Sequence, residues 1–291
     1  CLLQVVPTDP ALIIAGADAS PEVVAGIRKD LGLDQPLLIQ FFDYILRVAQ
    51  GDLGRSIISN KSVMEELQAT VGPTTELMVG AMVLAVPLGL VLGTLAAVRR
   101  GSLLDRAIVA LSVAGVSMPV FFVGLILMQY VGYKWDLLPF TGRTGPVWEG
   151  GLPSLVLPSL TLGSVLVGPI ARITRTAVLE VLGADFVRTA RAKGLTRRAV
   201  LWRHVMRNAL IPVVTLMGLQ FANLVTSAIV VENVFVLPGV GRLVFQAISN
   251  RDLVVVRDTV MLLAAAVVLI NFLVDVIYAV IDPRLAPAEA S

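Results

Sequence analysis

The sequence predicts an all-α polytopic membrane protein. Three observations predict it. The 291 residues are 56% hydrophobic and only 15% charged, with a mean hydropathy of +0.85, whereas soluble domains carry about a quarter charged residues. Four charge-free stretches, 77–98, 107–133, 150–171 and 208–231, are long enough to cross a bilayer core, which takes roughly 20 helical residues. A fifth, 259–281, is interrupted only by Asp275. Prolines within these stretches (Pro87, Pro119, Pro158, Pro169, Pro212) are tolerated in membranes where neighbouring helices satisfy the freed carbonyls. Gly89 and Gly93 form a small-xxx-small spacing that lets helix backbones approach.

Charge then orients the spans. Segments 99–106, 172–207 and 282–291 hold 13 Lys/Arg against 5 Asp/Glu, and segments 1–76, 134–149 and 232–258 hold 10 against 15. Positive charge marks the cytoplasmic side. Residues 172–207 and the tail 282–291 are therefore expected in the cytoplasm, and 1–76 outside. Cys1-Leu-Leu-Gln-Val-Val6 is too short to span and reads as the outer tip of a first helix, remnant 1–8. Six spans with both ends cytoplasmic are then expected. A lipidated Cys1 is disfavoured, since Leu2-Leu3 follow it in place of a polar tether. Residues 9–76 read as a small extracytoplasmic helical module, a lid packed on the spans, and 77–281 as the transmembrane domain.

Catalytic chemistry is not expected. The sequence has no G-x-x-x-x-G-K-[S/T] phosphate loop, no G-x-S-x-G elbow, one cysteine and one histidine. Cys1 and His204 fall on opposite sides of the membrane, so no metal-ligand cluster is expected. His204, between Arg203 and Arg207, reads as structural, and the scattered Met as packing. Asp275 lies seven residues before Asp282, about 10 Å inside the cytoplasmic end at 1.5 Å per residue. It is read as a shallow acid pairing with a basic residue such as Arg284; the competing reading is the coupling carboxylate of a secondary transporter.

The basic segment carries the interest. It reads as two short helices, 185–193 and 197–207, hinged at Gly194. Asp185 is expected to cap the first, Gly194 to take the left-handed conformation, and Thr196 to cap the second. Apolar Phe186, Ala190 and Leu195 lie among the arginines. Such a pair needs a surface to press on, either lipid headgroups or a partner protein. In span 208–231, Gln220, Asn223 and Ser227 share one helical face and are candidates either for a translocation path or for hydrogen bonds between helices.

Asp185-Phe-Val-Arg-Thr-Ala-Arg-Ala-Lys-Gly194, with His204-Val-Met-Arg-Asn-Ala-Leu-Ile-Pro212, resembles the cytoplasmic "EAA" loop of permease subunits of ATP-binding-cassette (ABC) importers. More narrowly the chain resembles the dipeptide/oligopeptide/glutathione/nickel permease group, first permease type. Gly32-Leu-Asp-Gln-Pro36, Gly51-Asp-Leu-Gly54, Leu152-Pro-Ser-Leu-Val-Leu-Pro158, Thr161-Leu-Gly163, Val231-Glu-Asn-Val-Phe235, Pro238-Gly-Val-Gly241 and Asp282-Pro-Arg284 sit in the order of that group. Val5-Val-Pro-Thr-Asp-Pro10 stands where the group has Val-Pro-Gly-Asp-Pro. The departure is Arg188-Thr189-Ala190, where other importers have Glu-Ala-Ala.

The resemblance implies a permease subunit in the bacterial inner membrane with no catalysis or cofactor of its own. ATP and Mg would be bound by two partner ATPase subunits, beside a second homologous permease and an extracytoplasmic substrate-binding protein. It implies that Asp185, Phe186, Arg188, Thr189, Ala190, Arg191, Lys193, Gly194 and Leu195 form the ATPase-coupling element. Di- or oligopeptides or glutathione are the expected cargo, with a nickel chelate as the alternative. An ion-coupled secondary transporter is the reading from another class; it would show deep charges or inverted repeats. Nucleic acid is not expected as a partner.

Overall fold

A computed structural model describes residues 20–30 and 34–281. The expectations for residues 1–8, for Gly32 and for Asp282-Pro-Arg284 lie outside those residues, as does the side chain of Asp275. Every regular element among the described residues is helical apart from one isolated bridge between Arg55 and Ser62. The helices are α1 (Pro21–Asp30), α2 (Leu37–Ala49), α3 (Val63–Val98), α4 (Leu103–Ser117), α5 (Val120–Leu127), α6 (Leu152–Leu182), α7 (Asp185–Ala192), α8 (Arg197–Ala199), α9 (Met206–Phe235), α10 (Val240–Ser249) and α11 (Leu253–Ile281).

Three helices, α3, α6 and α11, are long and apolar enough to cross a membrane alone, and two bent pairs raise the number to five. The expected spans differ from these helices in instructive ways. The stretch 107–133 is not one helix. It breaks at Met118, which is extended (ψ 129°), and α5 with the π-helical turn Met128–Lys134 departs from α4 at 103°. Proline disfavours the α conformation in the residue before it and has no N–H to give. In its new direction α5 passes close to its neighbours at Gly124. A Cβ there would stand 3.2 Å from both Phe235 of α9 and Thr161 of α6, so this glycine seats α5 across their seam.

The stretch 77–98 is the last part of a 36-residue helix that begins at Val63, and 150–171 runs on to Leu182. Pro73, Pro87, Pro158, Pro169 and Pro212 all stand inside unbroken helices. The stretch 208–231 belongs to α9, which bends by 54° between Phe221 and Asn223.

The described residues form two compact units. The larger comprises Gly72–Arg242 and the described residues from Ala264 on. Its centre is α6, of whose most apolar window 72% is buried, against 33% for α3 and 17% for α11. Leu157, Leu162 and Ile170 of α6 pack with Leu77 of α3 and Leu224 and Phe235 of α9, all fully buried. Gly89 and Gly93 permit this: a Cβ on Gly89 would lie 2.6 Å from Ile170, and one on Gly93 would meet the Ala171 carbonyl and Thr174. The small-xxx-small spacing is thus the contact line of α3 on α6.

The smaller unit comprises the described residues up to Val71 with Leu243–Leu263. Gly51 (φ 82°) and Gly54 (φ 77°) turn the chain after α2, and the Gly54 N–H donates to the Asp52 carboxylate at 2.9 Å. The turn delivers Leu53, 3% exposed, to the interior. Ser56 then donates to Asp252 at 2.5 Å, and Asp252 accepts from the Val255 N–H at 3.3 Å, capping the start of α11.

Candidate functional site

The basic helix pair is built at one end of the larger unit. α6 stops at Gly183, Ala184 is extended (ψ 147°), and α7 begins at Asp185. Asp185 is not the cap: Ala184 holds that position without a side-chain bond. The acid instead lies in the first turn, where its charge suits the positive end of the helix. Its ion pair with Arg188, 3.5 Å long, is exposed at both partners (77% and 96%) and contributes little.

α7 ends in a hydrogen-bonded stop. The Leu195 N–H donates to the Ala190 carbonyl at 3.4 Å and the Gly194 N–H to that of Arg191 at 3.0 Å. With Gly194 at φ 83°, this is a Schellman arrangement, which needs a left-handed residue at that point. Thr196 then caps α8 by accepting from the Ala199 N–H at 3.3 Å. The second helix does not stop at Arg207. It passes through a π-helical stretch, Val200–Val205, straight into α9. Val200, Val205, Met206 and Ala209 are all buried, so one apolar face runs through the charged residues. Charge placed the expected boundary, and packing overrides it.

The expected site residues divide by direction. Ala190, with Val187, points inward and packs with Ala97 of α3, Val178 of α6 and Ala209 of α9. Phe186 (47%) and Leu195 (42%) are exposed, as are Asp185, Arg188, Thr189, Arg191, Lys193 and Gly194. Trp202, 66% exposed, joins the outward apolar set. Sequence reasoning omitted it, although a lone tryptophan in a polar basic segment was the available signal. The pair is therefore a platform fixed from beneath on three long helices, with apolar and cationic side chains on its free surface.

A bidentate ion pair braces the same end. Arg175 of α6 donates from Nε and Nη2 to Asp105 of α4 at 2.6 and 2.9 Å. Asp105, 4% exposed, also accepts from the Gly101 N–H at 2.9 Å, which fastens the α3–α4 turn to α6.

At the opposite end of α9 lies Glu232, 1% exposed. Its carboxylate accepts from Thr74 Oγ1 of α3 at 2.6 Å and from the backbone N–H groups of Gly241 and Arg242 at 2.7 and 3.2 Å. Thr74 Oγ1 in turn accepts from the Val240 N–H at 2.9 Å. These N–H groups form the first turn of α10, where a helix leaves donors unpaired and favours negative charge. The motifs Val231-Glu-Asn-Val-Phe235 and Pro238-Gly-Val-Gly241 are thus the two halves of one corner. Nearby, Arg143 holds Glu76 at 2.7 Å.

The third candidate group lies along α9. Asn223 donates to Gln220 at 2.6 Å. Asn223 is exposed, while Gln220 and Ser227 are half-buried. Gln220 edges a recess bounded by Met82 and Val86 of α3, Leu166 and Ile170 of α6, and Met217 and Phe221. Its volume is about 10 Å³, room for no more than a single water. The structure does not bring Gln220, Asn223 and Ser227 together with the helix pair, which stands at the far end of α9.

Comparison with known proteins follows the same lines. Residues 89–287 match the family described as "Binding-protein-dependent transport system inner membrane component", and residues 1–74 match its N-terminal companion. The chain is 44% identical over 283 residues to the glutathione transport system permease protein GsiC of Salmonella choleraesuis, covering 97% of this chain and 90% of that one. It is 40% identical over 309 residues to the dipeptide transport system permease protein DppB of Escherichia coli K12, covering 97% and 91%. Among solved structures, an inward-facing conformation of the MetNI methionine ABC transporter matches with a TM-score of 0.60 at 20% identity. That match covers 75% of this chain and 97% of the other, and it shows the likeness of fold.

Proposed function

The chain belongs to the family of binding-protein-dependent transport system inner membrane components, and on that premise we propose that it is the permease subunit of an ATP-driven importer of di- or oligopeptides or glutathione. The observation that carries the proposal is the platform of α7, Gly194 and α8. It buries Val187, Ala190, Val200 and Val205 against the ends of three long helices and presents Phe186, Leu195 and Trp202 among cationic side chains. An apolar surface rimmed by charge is what a protein interface presents.

The mechanism follows from continuity. A chain without a phosphate loop is driven by ATP through contact, and its contact partners are two ATPase subunits seated on the platform. Closure of the ATPases displaces the platform. Because α8 runs into α9 without a break, and Ala190 and Val187 are locked to α3 and α6, the displacement passes to the long helices. That is a two-state change biased by nucleotide, as coupling requires.

The platform end is the cytoplasmic end, as the positive charge there directs. The recess beside Gln220 has room for no more than a single water, and the path lies on an outer face, against a second homologous permease. Gln220, Asn223 and Ser227 line it with uncharged polar groups, which bind a zwitterion weakly enough to release it. An extracytoplasmic binding protein delivers the cargo, and its pocket sets selectivity; similarity to relatives named for glutathione and dipeptide transport supports these two cargoes.

Reconstitution tests this. The chain with its neighbouring permease, ATPases and binding protein in proteoliposomes should take up a dipeptide or glutathione only with ATP inside and binding protein outside. Uptake driven by an ion gradient without ATP would overturn the proposal.

A further inference from the structure

Helix α2 is fastened along one edge and bare along another. The Tyr44 hydroxyl donates to Asp258 of α11 at 2.6 Å, and the Arg257 guanidinium lies 4.2 Å above the Tyr44 ring. Asp258 is fully buried, and the same guanidinium donates to it at 2.6 Å. Burial and the bond to Asp258 push the Tyr44 hydroxyl up to about 12, so it remains a donor at any physiological pH. Asp258 lies five residues beyond Leu253, where α11 starts, which puts the anchor about 7.5 Å along that helix.

Among the described residues, the rest of α2 is largely uncovered. Leu38 (73%), Phe42 (63%) and Leu46 (59%) are exposed, and so are Phe41 (54%), Ile39 (48%) and Ile45 (40%). At 100° per residue these six fill an arc of about 160°. Gln40, Asp43 and Arg47 occupy a separate arc of about 60°, and Tyr44 stands on the edge that meets α11. One helix thus has an anchored edge, a polar strip and a broad apolar face.

α11 points to the occupant of that face. It is long and apolar enough to cross a membrane, and only 17% of its apolar window is buried. Val260, two residues past Asp258 and so about 200° round α11 from it, is 44% exposed, so α11 keeps an open apolar face on the side away from the anchor. Helices that lie in the plane of a membrane sink their apolar face about 5–10 Å into the boundary between headgroups and acyl chains. Asp258 stands one residue before the stretch 259–281 expected to span, so the anchor holds α2 at that boundary.

We propose that α2 lies in the plane of the bilayer, with Leu38, Phe42 and Leu46 in the acyl boundary of the leaflet that α11 enters beyond Asp258 and with Asp43 and Arg47 in water. The inference needs only that α11 spans the membrane, and it stands or falls separately from the cargo and the ATP drive.

Lipid-depth quenching tests it on the complete importer in nanodiscs. With Cys1 replaced by serine, Phe42→Cys, Leu46→Cys, Asp43→Cys and Arg47→Cys are each labelled with an environment-sensitive fluorophore. A phosphatidylcholine carrying a shallow nitroxide should quench positions 42 and 46 roughly threefold more than 43 and 47, while aqueous iodide shows the reverse order. Positions 42 and 46 report independently, so misfolding of one variant leaves the other to decide. Equal quenching by lipid at all four positions overturns the proposal. So does shielding of 42 and 46 from both quenchers, which assigns the face to protein.

Discussion

A Cβ on Gly239 would stand inside the carboxylate of Glu232. The glycine is therefore part of the acid's binding site, as the space that lets the carboxylate reach the first turn of α10. Gly241 plays the same part toward the backbone, since a Cβ there would lie 2.5 Å from the Ile229 Cα.

Glu232→Ala should destabilise the chain by about 3 kcal/mol or more, because it strands buried N–H groups that each cost about 1–3 kcal/mol when unpaired. Glu232→Gln keeps an acceptor and should cost less. Gly239→Ala should resemble Glu232→Ala, since it displaces the carboxylate without removing it. Thermal unfolding of the purified complex orders the three variants. A Gly239→Ala protein as stable as the parent would show that the corner does not depend on this contact.

The Asp105–Arg175 fork predicts strong coupling between its members. Arg175→Lys replaces a planar two-bond donor with a point charge and should lower the melting temperature. Asp105→Ala and Arg175→Ala together should cost clearly less than their separate costs combined, because each single change leaves the other group without its partner. Additive losses would reduce the fork to two independent surface charges.

Much of this architecture is legible in the sequence, and the failures share a cause. The apolar helices α3, α6 and α11, the left-handed Gly194 and the Thr196 cap follow from local rules of hydropathy, glycine and capping. The break at Met118 does not, because five other prolines of the same pattern stand inside unbroken helices. Beyond the break, Gly124 lets α5 pass close to Phe235 and Thr161, a tertiary contact that no local rule supplies. Glu232 was visible only as part of a motif, because its partners Thr74 and Gly241 come from distant and later segments. Of the site residues, Asp185 to Leu195 are neighbours by sequence alone, but the sequence could not tell that Ala190 faces in and Phe186 faces out.

Orientation is open to direct measurement. In intact cells, a membrane-impermeant thiol reagent should label Asn60→Cys and Trp148→Cys, both exposed, and should leave Arg198→Cys untouched until the membrane is opened. External labelling at Arg198→Cys would invert the topology and remove the platform from ATPase reach.

At Gly194 a Cβ would meet nothing within 4 Å, so a substitution there is opposed by backbone conformation alone. Gly194→Val should cost about 1 kcal/mol or more at φ 83°, misplace Leu195 and Thr196, and abolish uptake together with stimulated ATP hydrolysis while the subunits still assemble. Gly194→Asn should retain most of both activities, since asparagine tolerates the left-handed region. Full uptake by Gly194→Val would reduce the pair to a surface feature.

The polar stripe on α9 is the harder case. If Gln220 and Asn223 were glue within the chain, each would bond a neighbouring helix. Instead, among the described residues, Asn223 bonds Gln220 on its own helix at 2.6 Å, and Asn223 stays exposed. Among the described residues the stripe therefore has no bond to a neighbouring helix, which leaves room for the proposed contact with a second permease or a wet path between the two. Interhelical hydrogen bonds in membranes contribute only about 0.6 kcal/mol on average, so the double replacement Gln220→Leu with Asn223→Leu should not prevent assembly. It should instead line that face with hydrocarbon, and a zwitterionic cargo would lose its solvation in passing. Uptake is expected to fall at least roughly tenfold, the effect of about 1.4 kcal/mol on the barrier, while ATP hydrolysis stimulated by the binding protein persists. Co-purification of the two permeases, uptake and hydrolysis, measured on one preparation, separate the possibilities. Lost co-purification assigns the stripe to the subunit interface, and intact assembly with unchanged uptake removes it from the path.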